Sequence, residues 1–184
     1  MLFAKKTLSK KPDMDLLVRL YTTQTQLSRA PVFYTRFMVP DTTDGRYDMF
    51  CLTLSLFLFR IQQMDQEVAQ AFFDLAFNDQ ERGLREAGVG DLSVSKHMKK
   101  MLEAFYGRAS LYYEALEQRD TSSLIAVLAR NIYNDNQDAP VGSLAEWVQI
   151  IWSYLSQIDK EEFFAEPQQI LQLLPSEKIE EVNR

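Results

Sequence analysis

The sequence contains one cysteine and one histidine, and both scarcities limit what the protein can be. The single cysteine, Cys51, can form no disulfide within the chain and cannot supply a cysteine-based metal site. The single histidine, His97, cannot build the multi-histidine sites that are common for zinc. Cys51 lies in an apolar run, where it is predicted to pack as a small core residue. We therefore expect neither a metal nor another cofactor.

Glycine and proline are also scarce, with six residues of each in a chain of 184. Few turns are therefore expected, which favours long helices over a β-sandwich. The longest apolar run, 49–59, is shorter than the about 20 residues that cross a bilayer. Such a run is ambiguous between helix and strand, and the low glycine and proline content favours a buried central helix. The sequence predicts an all-α, single-domain bundle of about seven or eight helices.

The chain lacks an excess of positive charge, since its formal net charge is −6 and its pI is near 4.9. A specific nucleic-acid partner is therefore not expected. We expect three parts: a flexible basic N-terminal tail over 1–12, a helical domain over 13–158, and an acidic, partly helical C-terminal tail over 159–184. Phe163 and Phe164 in the C-terminal tail are candidates for exposed aromatic residues at an oligomer interface.

Side chains that cap helices mark several predicted helix starts. A helix is predicted over 65–87, another helix start is predicted at Asp13, and Asp120 is predicted to cap the helix that follows it. Such a side chain accepts hydrogen bonds from the free N–H groups of the first helical turn. A capping-box pattern begins at Ser143, where a glutamate follows three residues later, and it predicts another helix start there.

The stretch 84–108 contains the clearest pattern in the chain. A helix is predicted to end at Gly88, and a second helix is predicted to begin near Asp91 or Ser93, with one of these side chains as its cap. In the second helix, apolar residues recur at intervals of three and four, which is the period of one buried face. They are Val94, Met98, Met101, Leu102, Phe105, Ala109, Tyr112, Tyr113 and Leu116.

The opposite side of this second helix is predicted to be basic. At about 100° per residue, Lys96, Lys100 and Gly107 fall close together, and Lys99 lies between the two faces. Two lysines four residues apart repel by a few tenths of a kcal/mol, and a glycine inside a helix costs about 1 kcal/mol relative to alanine. An acidic partner or a lipid head group would offset the repulsion, whereas a solvated face is the simpler alternative.

Three sequence blocks, 39–49, 84–108 and 128–133, together resemble the ubiquinol–cytochrome c chaperone family, the assembly factors of the cytochrome bc1 complex. The resemblance spans roughly 31–155. It implies a chaperone, not an enzyme, that binds newly made cytochrome b and promotes its stability and assembly. Mitochondrial members act with a small partner subunit near the ribosome exit region, so both are implied as partners. A bacterial protein is expected because no transit peptide is evident. Its expected location is the cytoplasm, and the alternative is peripheral contact of the basic tail with the cytoplasmic face of the inner membrane.

Carried onto this sequence, the resemblance implies a partner-binding surface formed by Arg85, Asp91, Lys96, Lys99, Lys100, Tyr106, Gly107 and Arg108. The alternative function is a helical adaptor that binds a membrane surface or another respiratory-chain client, with the basic tail and the basic helix face in contact with lipid. Catalysis has less support. The Ser-x-x-Lys pattern at 93–96 lacks its companion motifs, and the glycines at 88–90 lack the rest of a phosphate loop. An enzyme would have to use His97.

Overall fold

The protein is described by a computed structural model over residues 12–175, and 1–11 and 176–184 lie outside the described residues. Over 12–175 the chain forms eight α-helices, one 3-10 helix and no strand, so the predicted all-α, single-domain fold is confirmed. The predicted basic N-terminal tail therefore falls almost wholly outside the described part. The helices are α1 (Met14–Ser28), α2 (Pro31–Thr35), α3 (Thr43–Met64), α4 (Gln66–Glu86), α5 (Asp91–Glu117), α6 (Thr121–Tyr133), α7 (Val141–Gln157), α8 (Lys160–Ala165) and a C-terminal 3-10 helix (Pro167–Leu173).

Helix α3 forms the centre of the bundle. Its residues 48–59 are all buried, and α1, α4, α5, α6 and α7 pack around it. Its buried hydroxyl groups bond to the helix backbone, with the Oγ of Ser55 donating to the carbonyl oxygen of Cys51 at 2.7 Å. Cys51 is fully buried, and burial raises the pKa of its thiol to about 12. The predicted central helix and the core position of this cysteine are both confirmed.

The predicted helix start at Asp13 and the predicted cap at Asp120 are confirmed, Asp65 caps its helix instead of being its first residue, and the predicted serine cap is wrong. The side chains of Asp13, Asp65 and Asp120 each accept a backbone N–H in the first turn of the following helix. Helix α7 instead begins two residues before Ser143, directly after Pro140, and has no side-chain cap. Proline suits the start of a helix because its fixed φ is compatible with the first turn.

The loop before α3 depends on one glycine. The backbone N–H of Gly45 donates to the Oγ1 of the capping residue Thr42 at 3.1 Å. A Cβ added at Gly45 would overlap the carbonyl oxygen of Pro40. The loop can therefore close against the first turn of α3 only with glycine at this position.

The described part of the C-terminal tail packs on the bundle. Helix α8 and the 3-10 helix both contact α1. Phe163 and Ile170 are fully buried, and the ring of Phe163 lies 5.6 Å from that of Phe57 in α3. Phe164 is half-buried. The expectation that Phe163 is exposed at an oligomer interface is therefore wrong, because the tail covers an apolar face that the longer helices leave open.

Candidate partner-binding surface on the α4–α5 hairpin

The turn between α4 and α5 is built around Gly88, as predicted. The N–H of Gly88 donates to the carbonyl oxygen of Arg85 at 3.0 Å, and the N–H of Val89 donates to that of Leu84 at 3.1 Å. These two bonds form a Schellman motif, which satisfies the last carbonyl groups of the helix. Gly88 has a φ of +83°, a conformation that glycine adopts without steric strain.

The start of α5 differs from the prediction, although its position is right. The helix begins at Asp91, and the capping position is taken by Gly90, which has no side chain to accept a hydrogen bond. The carboxylate of Asp91 instead pairs with Arg85, which also pairs with Glu81 at 2.8 Å. Arg85 and Asp91 therefore lie together across the turn, and a carboxylate in the first turn also interacts favourably with the helix dipole.

The predicted basic face is present on the first half of α5. Lys96, Lys99 and Lys100 are all exposed. The Nζ of Lys99 lies 3.9 Å from a carboxylate oxygen of Glu103. Within residues 12–175, no ion pair involves Lys96 or Lys100. Their charges are therefore available to a molecule outside the chain.

Tyr106 and Gly107 lie farther along α5 and are also exposed. The ring of Tyr106 stacks on that of Phe73 in α4, with 5.8 Å between the ring centres, and 41% of the residue remains accessible. Apart from its chain neighbours and the nearby backbone of α5 itself, nothing lies within 4 Å of a Cβ added at Gly107. No contact within the described residues therefore requires glycine at this position.

Arg108 does not join the exposed basic face. Its guanidinium lies 2.7 Å from the carboxylate of Asp48 in α3, and only 24% and 11% of the two side chains are exposed. Burial raises the pKa of Asp48 to about 6, although Arg108 acts in the opposite direction. The same two helices are also joined by a hydrogen bond, in which the hydroxyl of Tyr47 donates to the carbonyl oxygen of Met101 at 2.7 Å. Arg108 therefore positions α5 against α3.

An open cleft of about 420 Å³, which the sequence did not reveal, lies between α3, α4 and α5. Tyr113 lines it and is 41% exposed, so its predicted burial is wrong. No side chain that lines the cleft carries a charge at neutral pH. Aromatic and aliphatic groups dominate the lining, including Leu58, Phe59, Ala69, Phe73, Tyr106 and Tyr113.

Aromatic contacts fix the shape of this cleft. Helices α4 and α5 meet through Phe105, whose ring centre lies 5.8 Å from that of Phe73 and 5.3 Å from that of Phe77. On the other side, the ring of Tyr113 packs edge-on against Phe59 of α3 at 5.0 Å. The lining is therefore held by packed rings, and it is preformed for an apolar ligand.

The described residues offer no cluster of side chains that indicates metal binding. Over 12–175, no three His, Cys, Asp or Glu side chains come together as a metal site. His97 is exposed, and its Nδ1 lies 2.8 Å from the carbonyl oxygen of Ser93 one turn earlier. None of the helices in this range is long and apolar enough to cross a membrane.

The chain is similar to proteins of one known family. A family profile described as ubiquinol-cytochrome C chaperone matches residues 35–170, which include the whole α4–α5 hairpin. No curated protein matches the chain. The crystal structure of the Cbp3 homolog from Brucella abortus is 36% identical, with a TM-score of 0.74, and the match covers 82% of this chain and 86% of that chain. As the three sequence blocks predicted, the chain belongs to the ubiquinol-cytochrome C chaperone family.

Proposed function

We propose that this protein is an assembly chaperone of the cytochrome bc1 complex that binds newly made cytochrome b, and that it is not an enzyme. The family description supports a role in the ubiquinol–cytochrome c system. The observation that carries the proposal is helix α5 of the α4–α5 hairpin, which presents exposed lysines on its first half and lines an open, uncharged aromatic cleft farther along. Such a surface suits a client that carries both apolar segments and acidic or phosphate groups.

The residues predicted for this surface have two proposed roles, which are to hold the two helices in place and to contact the client. Arg85 and Asp91 hold the turn between the two helices, and Arg108 positions α5 on the core. The client is then contacted by the lysines at 96, 99 and 100 and by the segment at 106–107. The open space where a Cβ of Gly107 would stand leaves room for the backbone of a partner to approach closely.

Further partners follow from the same proposal. A small partner subunit and the ribosome exit region are proposed to share this surface with the client. We also propose a location in the bacterial cytoplasm, with peripheral contact at the cytoplasmic face of the inner membrane. The unpaired charges of Lys96 and Lys100 support such a contact, because anionic lipids attract exposed lysines.

The experiment uses cells that lack the gene. The reduced b-type haem spectrum and the quinol–cytochrome c reductase activity of their membranes are measured, with an unrelated respiratory complex as the control. The proposal predicts selective loss of both signals and restoration by the wild-type gene. Normal bc1 content in the deletion strain would contradict it.

A second candidate function is a helical adaptor for a membrane surface or another respiratory-chain client, which the same unpaired lysines favour. Binding to vesicles with and without anionic lipid separates the two functions. Binding to anionic vesicles that weakens with salt, together with normal bc1 content in the deletion strain, would favour the adaptor. Loss of bc1 content without vesicle binding would favour the chaperone.

A further inference from the structure

We infer that the cleft between α3, α4 and α5 binds one uncharged, apolar helical segment of the client before that segment enters the membrane. This inference rests on the proposed function and names the part of the client that the chaperone holds. It is carried by the uncharged lining, by the preformed aromatic walls and by the absence, over 12–175, of a strand with which an extended chain could pair.

The first argument is charge complementarity. The lining contains aliphatic, aromatic, amide and hydroxyl groups and no ionised side chain. Bringing a charged group into such a cleft would remove it from water without a partner, which is strongly unfavourable. The contacting face of the occupant must therefore be uncharged, as are the faces of membrane-spanning segments.

The second argument concerns the backbone of the occupant. An extended peptide needs a strand edge or other donors and acceptors for its N–H and C=O groups. Residues 12–175 contain no strand, and the polar residues that line the cleft, such as Gln63, Ser110 and Tyr113, all lie in helices. A helix satisfies its own backbone groups, so it can enter an apolar cleft without leaving them unpaired.

The third argument is size. A volume of about 420 Å³ is too small for a whole helix, whose diameter with side chains is about 10–12 Å. It has room for a few large side chains that project from one face of a helix, as in recognition by anchors at positions i, i+3 or i+4, and i+7. The exposed rings of Tyr106 and Tyr113 would then cover the sides of that helix.

The test uses a neutral peptide of about 15 residues that forms a helix with leucine and alanine on one face and glutamine on the other. A second peptide places one lysine in the middle of the apolar face, and a third has a proline at the centre. Each carries a fluorescent label, and binding to the full chain is followed by anisotropy. We expect the neutral helix to bind and the other two peptides to bind about tenfold more weakly or worse.

Two protein variants form a matched pair. Ser110 lines the cleft and is exposed, with its Oγ donating to the carbonyl oxygen of Gly107 at 3.1 Å. Ser156 is an exposed serine of α7 that lies outside the lining and donates to the carbonyl oxygen of Trp152 at 2.7 Å. Ser110→Glu should weaken binding of the neutral peptide about tenfold or more and strengthen binding of the lysine peptide, whereas Ser156→Glu should change neither.

The contrary results are equally distinct. Equal binding of the neutral and lysine peptides, or no effect of Ser110→Glu, would overturn the inference. The inference would also be overturned by a dimer in sedimentation that Ser110→Glu dissociates, because a second copy of the chain would then fill the cleft.

Ser110→Trp, which fills the opening of the cleft without adding charge, should also block binding of the neutral peptide. Thermal unfolding of each variant checks that it is folded. The deletion strain tests the proposed function separately. Normal bc1 content in that strain would contradict the proposed chaperone function. Lost bc1 content together with failure of the peptide test would contradict only the proposed role of the cleft.

Discussion

Burial and ion pairing have opposite effects on the pKa of Asp48, which lies where α5 meets the core, and the net effect can be tested. Burial raises its pKa and Arg108 lowers it, with a net pKa of about 6 against an ordinary value of 3.8. The folded protein therefore holds this proton more tightly than the unfolded chain does. It follows that the stabilisation from this group is complete below about pH 4 and is lost as the pH rises through about 6.

The magnitude follows from the two pKa values. Between about pH 5 and pH 8, the contribution of Asp48 to the free energy of unfolding should fall by about 1.4 kcal/mol. The Asp48→Asn variant lacks this dependence, and it shares every other titrating group with the wild type. Urea unfolding of both proteins across this range should therefore show that the wild type loses about 1.4 kcal/mol relative to the variant.

Arg108→Met provides the matched comparison. Without the guanidinium, only burial acts on Asp48, so its pKa should rise further and the free energy of unfolding should fall more steeply with pH. If the wild type gained stability over Asp48→Asn as the pH rose, the ion pair would outweigh burial, and the reasoning would be refuted.

Three further predictions concern the fold and the surface. Gly45→Ala should lower the free energy of unfolding by about 1–3 kcal/mol, because the added Cβ overlaps a carbonyl oxygen. Gly107→Ala should instead raise the free energy of unfolding by up to about 1 kcal/mol. Denaturant unfolding of both variants checks this prediction, and equal effects of the two substitutions would contradict it. Phe163→Ala should lower the free energy of unfolding by about 3–5 kcal/mol. An unchanged thermal midpoint for this variant would mean that the C-terminal tail is not part of the core. Lys96→Glu with Lys100→Glu should leave the melting temperature nearly unchanged while client binding falls, and a large drop in melting temperature would make these lysines structural.

The central features of the fold could be predicted because they depend on local sequence. A run as apolar as 49–59 can only be buried on most sides, and aspartate caps act within one helical turn. The packing of the C-terminal tail could not be predicted in the same way. Phe163 and Ile170 lie in short segments without a long helical period, and their burial depends on the face that α1 and α3 leave uncovered.

The candidate surface could be predicted only in part, for a related reason. Helical spacing placed Lys96 and Lys100 together because the angle between residues is fixed along one helix. The same spacing assigned Tyr113 to the buried face, but the angle does not reveal whether another helix covers that position. Likewise, nothing near Arg108 in sequence indicates that Asp48 of another helix is its partner. The cleft was missed because three separate helices form it.

The most direct test of the central claim is isolation of the tagged full-length protein from cells that are making the bc1 complex, followed by quantification of cytochrome b in the isolate. The wild type should retain cytochrome b, and Lys96→Glu with Lys100→Glu should retain much less. A charge-matched control, Arg29→Glu with Arg130→Glu, alters exposed residues outside the hairpin and should behave as the wild type. If cytochrome b were absent from the wild-type isolate, or were retained equally by both double variants, the proposed chaperone surface would be contradicted.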